Sequence, residues 1–129
     1  MSRLREDGLV ISRYDWLLAG GAPAKVIQLY VDGTKPVLFL GRELHSEALE
    51  LILQMLNLDY ETGRIPNGHQ GPLLAGQDYN VVGMGHAEFD EKKIAIKGNS
   101  NSFGYGIGID PKHLEDVKPY LKSFELEVV

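Results

Sequence analysis

The sequence contains no cysteine. Disulfide bonds, thiolate nucleophiles and zinc–thiolate sites are therefore excluded. A chain without disulfides is compatible with a reducing compartment, so we expect the protein to act in the cytoplasm.

Long apolar runs and basic runs are missing as well. No stretch approaches the roughly 20 apolar residues of a membrane helix. Arg13 and Asp15 break the apolar part of the N-terminal segment, which makes it a poor signal peptide. Lysine and arginine form no run and the formal net charge is −5, so we expect neither a membrane nor a nucleic acid as partner.

Glycine, by contrast, is abundant. It accounts for 15 of the 129 residues, clearly more than the average of about 7%, so the backbone needs many turns or close approaches. The length suits a single domain, and we treat residues 1–129 as one.

The first half of the chain predicts a hairpin followed by a helix. Lys25–Val31 and Val37–Gly41 are apolar and β-branched enough for buried strands, with Asp32-Gly33 as the turn between them. Arg42–Leu58 has helical spacing, and Ser46 is the candidate N-cap, which places His45 just outside the first turn. The apolar stripe is then Leu44, Ala48, Leu51, Ile52, Met55 and Leu56.

The second half begins with a long loop, Asp59–Asp78, to which we assign no role. Tyr79–Asp90 reads as a strand in which Gly83 and Gly85 indicate a bulge or a close backbone approach. Asp110 followed by a proline predicts the start of a second helix, which Pro119 ends. Further strands are predicted at 93–98, 105–110 and 124–129.

Two helices among about six strands predict an α+β fold, with one mixed central sheet flanked by the helices.

His45 is the first candidate for chemistry. A neutral imidazole acts as a base near pH 7, and a helix N-terminus lowers its pKa while its amides attract a phosphate. The alternative is a histidine that only hydrogen-bonds its own helix terminus.

The segment 99–102 is the second candidate. Successive N–H groups in a tight turn form an anion-binding concavity, and the polar side chains of Ser100, Asn101 and Ser102 add donors. The alternative is an ordinary polar connection, because Gly, Asn and Ser are common in loops.

His86 and Lys25 complete the candidate site. His86 follows the glycine run and is placed to bond a phosphate oxygen, or is simply a histidine near a strand end. Lys25 begins a strand, where it either balances phosphate charge or is solvated. The spacing of the histidines supports no metal site, since neither H-x-x-x-H nor HExxH occurs.

Two segments together resemble the Janus/Ocnus family, whose characterised members are phosphohistidine phosphatases. They are RELHSEALELI (42–52) and GMGHAEFDEKKIAIKGNSNSFGYG (83–106). In that family an acidic residue stands two places before a histidine that precedes a helix, as Glu43 and His45 do here. A glycine run, a strand ending in KKI and a G-x-S-x-x-aromatic-G loop follow in the same order. The resemblance covers roughly residues 25–129.

The resemblance implies a phosphatase without metal or cofactor, in which His45 is the general base. The backbone N–H groups of Ser100, Asn101 and Ser102 are then the phosphate ligands, and Lys25 matches a lysine of the family. The substrate is a phosphorylated protein or a small phosphoramidate.

The chain departs from the family at two arginines, where it has His86 and Val37. Fewer guanidinium groups weaken bidentate phosphate binding. The alternative function is therefore a non-catalytic relative that binds a phosphate, another anion or a partner. A metal-dependent hydrolase is a third hypothesis.

Overall fold

The computed structural model describes residues 4–6, 8–11, 23–90, 92–122 and 124–129. Arg13 and Asp15 lie outside the described residues. The described elements are β1 Leu4–Glu6, β2 Leu9–Ile11, β3 Ala24–Val31, β4 Lys35–Gly41, α1 His45–Met55, β5 Thr62–Arg64, β6 Gln70–Pro72, β7 Tyr79–Asp90, β8 Lys93–Ile96, α2 Pro111–Val117, a 3₁₀ turn Lys118–Tyr120 and β9 Glu125–Val128.

The main sheet is mixed and has seven strands within the described parts of the chain, in the order β1-β2-β4-β3-β7-β8-β9. The pairs β2–β4 and β8–β9 are parallel and the others are antiparallel. The predicted α+β class with a mixed sheet and two helices is confirmed.

Each face of the sheet carries its own core because side chains alternate along the strands. On one face, Ile27 and Phe39 pack with the buried residues of α1. On the other face, Val26 and Leu40 pack with Leu114 of α2. The two helices therefore cover opposite faces of one single-domain sheet.

The predicted β3–β4 hairpin is confirmed. β3 and β4 pair antiparallel from Lys25↔Gly41 to Val31↔Lys35. The connection turns at Asp32 and Gly33, whose φ angles are +53° and +85°, a region that glycine and, less readily, aspartate adopt.

The predicted bulge and close approach in β7 are both present. The register between β3 and β7 shifts at Gln28/Leu29. A Cβ at Gly83 would lie 2.1 Å from the Gln28 Oε1 atom, and one at Gly85 would lie 2.6 Å from the Ser100 Oγ atom. Glycine is required at both positions because Gln28 and the Asp110 backbone lie against Gly83, and Ser100 and Ile109 lie against Gly85.

The start of α1 differs from the prediction. Leu44, not Ser46, is the N-cap residue, no side chain caps the helix, and His45 is its first residue. The buried stripe is rotated by one position and comprises His45, Ala48, Leu49, Ile52 and Leu53, while Leu44 is 63% exposed. The rotation buries a histidine that a purely apolar stripe leaves out.

Two further assignments are wrong. The loop 59–78 contains the antiparallel hairpin β5–β6. The strand predicted at 105–110 is only a single bridge between Asn101 and Gly108, because the flanking backbone instead closes local bonds such as Gly106 N to Ser102 O, 2.8 Å.

The predicted second helix is confirmed. Asp110 caps α2 by accepting hydrogen bonds from the Lys112 and His113 amides at 2.9 and 3.3 Å. The helix gives way to the 3₁₀ turn that contains Pro119. No helix in the described ranges is long and apolar enough to cross a membrane.

Candidate functional site

A cleft of about 430 Å³ opens at the end of the sheet where β3 begins and α1 starts. The tip of the β5–β6 hairpin, β7 and the loop that follows β8 form the other walls. The lining residues are Lys25, Leu44, His45, Ser46, Ile65, Asn67, His86, Asn101, Ser102, Phe103, Gly104 and Tyr105.

The cleft thus brings together six of the seven predicted site residues. Lys25 and His86 are direct cross-strand partners in β3 and β7. Ser100 is the exception, since it does not line the cleft.

His45 forms part of the cleft wall and is held by the glycine run. Its side chain is buried, and the Nε2 atom lies 2.9 Å from the Gly85 carbonyl oxygen. A carbonyl only accepts, so Nε2 carries the hydrogen and Nδ1 keeps the lone pair. The chemistry of His45 is therefore that of a neutral imidazole with Nδ1 as its basic atom.

Burial lowers the pKa of His45 to about 4, against the opposing effect of the Gly85 hydrogen bond. The positive charges near it, on Lys25 and on a protonated His86, act in the same direction as burial. The imidazole is thus neutral at pH 7, as expected, but burial rather than the helix terminus is the main cause.

His86 lies beside His45, with ring centroids 5.4 Å apart and the planes at 79°. Burial lowers its pKa first, and the charges of Lys25 and Lys97 lower it further. His86 therefore contributes a neutral ring.

Ser100 braces the loop behind the cleft. Its Oγ atom accepts a hydrogen bond from the His86 amide at 2.8 Å and donates to the Lys97 carbonyl at 2.5 Å. Its own amide donates to the same carbonyl at 3.0 Å. Ser100 is therefore a support for His86 rather than a ligand.

The loop amides that are free to bind an anion are not the ones that the sequence predicted. The Ser102 amide donates to the Ile107 carbonyl at 2.8 Å and its Oγ accepts from the Tyr105 amide at 3.2 Å. Among the described residues, the amides of Asn101, Phe103 and Gly104 have no internal acceptor. All three of these residues line the cleft, so the donors available are those of 101, 103 and 104, not those of Ser100 and Ser102.

The start of α1 adds a second set of donors. The first internal bond of the helix runs from the Ala48 amide to the Leu44 carbonyl, 2.7 Å, and no side chain caps the terminus. The amides of the first turn, including that of Ser46, point along the helix axis and carry the partial positive charge of the helix dipole. Ser46 thus belongs to the site although it is not the cap.

Several lining residues were not expected from the sequence. Leu44 and Phe103 are 63% and 91% exposed and form an apolar rim. Asn67 reaches the cleft from the β5–β6 hairpin. The unusual length of the loop 59–78 was the one signal that pointed to this hairpin.

His113 lies away from the cleft, on the buried side of α2. It is fully buried, and its Nε2 atom lies 2.9 Å from the Leu29 carbonyl, so it donates there. Its Nδ1 atom lies 3.3 Å from the Gln28 side-chain amide. Both ring nitrogens are satisfied, so its role is structural.

In the described part of the chain, no three His, Cys, Asp or Glu side chains come together as a metal site requires. The chain matches no known family model and no curated protein sequence. The likeness to the Janus/Ocnus family therefore rests on the two segments of sequence alone.

Proposed function

We propose that the protein is a phosphatase that hydrolyses the P–N bond of a phosphohistidine-type phosphoramidate without a metal ion. The observation that carries the proposal is that one cleft is lined both by the neutral His45 imidazole and by residues with free backbone donors. Such a cleft places a base and a set of oxyanion donors around the same bound ligand. With no cysteine to oxidise, the protein suits the reducing cytoplasm, where we propose that it acts.

The proposed reaction is the attack of water on phosphorus. His45 Nδ1 takes a proton from the water as its oxygen forms the new P–O bond. The P–N bond breaks, and its electron pair stays on the leaving nitrogen, whose imidazole is protonated and leaves as a neutral ring. The products are inorganic phosphate and the free histidine side chain.

The phosphoryl oxygens are held mainly by neutral donors. The amides of Asn101, Phe103 and Gly104 approach from one wall and those of the α1 start from another. Lys25 supplies a positive charge, and it is the only lysine or arginine among the lining residues that the structure describes. Phosphoryl transfer needs positioning and charge stabilisation more than covalent help, so this set is chemically sufficient.

One observation favours the alternative of a non-catalytic oxyanion-binding protein. The pKa of His45, about 4, is well below the value near the working pH that suits a general base best. A bound anion raises that pKa, because opposite charge favours the imidazolium form. The two functions therefore differ in how strongly the ligand restores the basicity of His45.

The experiment is a phosphate-release assay with phosphoramidate and with a phosphohistidine peptide, in the presence and absence of a chelator. We expect turnover that the chelator does not change and that falls about 100-fold or more in His45→Ala, the usual contribution of a general base. Equal rates for the two proteins remove His45 from the mechanism. Binding without release identifies the alternative, and loss of activity with chelator identifies a metal-dependent hydrolase.

A further inference from the structure

The β5–β6 hairpin brings a polar side chain to the cleft in a fixed orientation. The Asn67 Oδ1 atom accepts a hydrogen bond from the His69 amide at 2.9 Å. An N–H group requires an oxygen acceptor, so this bond determines which end of the side-chain amide is oxygen. The Nδ2 end has no acceptor among the residues that the structure describes.

The hairpin is hydrogen-bonded to the loop that carries the free amides of residues 101, 103 and 104. The Asn67 amide donates to the Gly104 carbonyl at 3.2 Å, and the Tyr105 hydroxyl donates to the Pro72 carbonyl at 2.8 Å. A Cβ at Gly104 would lie 3.2 Å from the Asn67 Nδ2 atom. The free side-chain amide is thus next to one of the free loop amides.

The base of the hairpin is equally close to α1. A Cβ at Gly71 would lie 2.9 Å from the Tyr105 hydroxyl and 3.3 Å from the Ser46 Cβ atom. Ile65 is buried at the near end of the tip. The hairpin therefore packs on both walls of the cleft, and the position of Asn67 is tied to theirs.

We propose that Asn67 binds an oxyanion in the cleft through Nδ2 and completes the cradle formed by the loop and the α1 start. Because the His69 amide holds Oδ1 in the turn, Nδ2 is the end of the side chain left to meet a ligand, and it favours a ligand group that accepts, such as a phosphoryl oxygen. The assignment rests on the proposed function for the identity of the ligand, but not for the binding of an oxyanion.

The chain allows a matched set of variants. Asn67→Asp keeps an acceptor for the His69 amide but replaces the donors with a negative charge. Asn67→Ser also keeps an acceptor for the turn and adds no charge. Gln77→Glu is the control, since it makes the same amide-to-carboxylate change at an exposed residue. Gln77 lies beside the β3–β4 turn, where the Asp32 amide bonds the Asp78 carbonyl, roughly 20 Å from Lys25 at about 3.3 Å per strand residue.

The experiment measures the Kd of inorganic phosphate by NMR titration, together with KM and kcat for phosphoramidate. We expect Asn67→Asp to weaken phosphate binding more than tenfold and Asn67→Ser to weaken it by about two- to tenfold, one neutral hydrogen bond. KM should rise more than kcat falls, and Gln77→Glu should stay within twofold of the wild type.

Two results overturn the proposal: wild-type protein that binds no phosphate, and Asn67 variants that bind it as Gln77→Glu does. If one Asn67 variant does not fold, the other decides. Weakened phosphate binding in a protein that hydrolyses no phosphoramidate supports the role of Asn67 and overturns the phosphatase function. If the Asn67 variants hydrolyse phosphoramidate as fast as the wild type does, the result supports the phosphatase function and overturns the role of Asn67.

Discussion

The His45 imidazole donates its Nε2 hydrogen to the Gly85 carbonyl oxygen over 2.9 Å. This bond joins the first residue of α1 to the glycine run of β7, and it leaves Nδ1 as the basic atom. Four predictions about the site can be measured, and the first two concern His45 itself.

The first concerns the titration of His45. Because burial favours the neutral ring, its Cε1–H resonance should titrate with a midpoint near pH 4, to match a pKa of about 4. Saturating phosphate should raise the midpoint, since the bound anion favours the imidazolium. The resonance is assigned by its loss in His45→Asn. A midpoint near 6.5, the ordinary value for histidine, contradicts the buried environment.

The second concerns stability and pH. The pKa of His45 is about 4 in the folded protein against a model value of 6.5, so between these pH values the unfolded chain binds a proton that the folded chain does not. Stability therefore falls as the pH is lowered through this window, by about 3 kcal/mol from this group. His86 and His113 act in the same direction.

Urea unfolding at pH 7 and pH 4 measures the effect. The His45→Asn variant should lose about 3 kcal/mol less than the wild type over this interval. Equal losses in the two proteins would mean that His45 does not carry the dependence.

The third prediction separates support from ligand binding at Ser100. Ser100→Ala leaves the His86 amide without its acceptor and removes the bond to the Lys97 carbonyl. The free energy of unfolding should fall by about 1–3 kcal/mol, whereas phosphate affinity of the folded protein should change little. Thr34→Ala, at an exposed turn residue, is the control and should lie within about 0.5 kcal/mol. A large loss of phosphate affinity without a loss of stability would show that Ser100 binds the phosphate itself.

The fourth prediction concerns Phe103, whose side chain is 91% exposed at the rim of the cleft. In the proposed function the phosphoryl group is bound by the loop amides and the α1 start, so we expect the residues next to a phosphohistidine to contact this exposed ring. Phe103→Ser should raise KM for a phosphohistidine peptide several-fold and leave KM for phosphoramidate within about twofold. Val129→Ser, at another exposed apolar side chain, is the matched control. Equal effects on both substrates would mean that the ring maintains the structure of the loop and does not contact the leaving group.

Local patterns predicted the fold well where they carried a direct physical signal. The Asp32-Gly33 turn and the Asp110 cap depend on residues adjacent in the chain. The glycines at 83 and 85 indicated a close approach, although the residues that approach them, such as Ser100, are distant in the chain. The mixed sheet followed from counting such elements. The parallel pairing of β2 with β4 depends on distant partners, and no local pattern indicates it.

The candidate site was harder to predict in detail. Counting His45 as polar moved the α1 stripe by one position, although His45, Ala48, Leu49 and Ile52 follow ordinary helical spacing. The short hairpin β5–β6 has the sequences TGR and QGP, which lack apolar alternation, so Asn67 was not foreseen. Which loop amides are free depends on local bonds such as that from the Ser102 amide to the Ile107 carbonyl, and composition does not determine them.

The central claim is that the His45 ring and the loop amides face the same bound oxyanion. A single NMR titration with inorganic phosphate, observing the His45 ring and the amides of Asn101, Phe103 and Gly104, tests it most directly. We predict that all four signals shift and fit one Kd. Amides that stay in place while His45 responds, or signals that fit different constants, contradict the account.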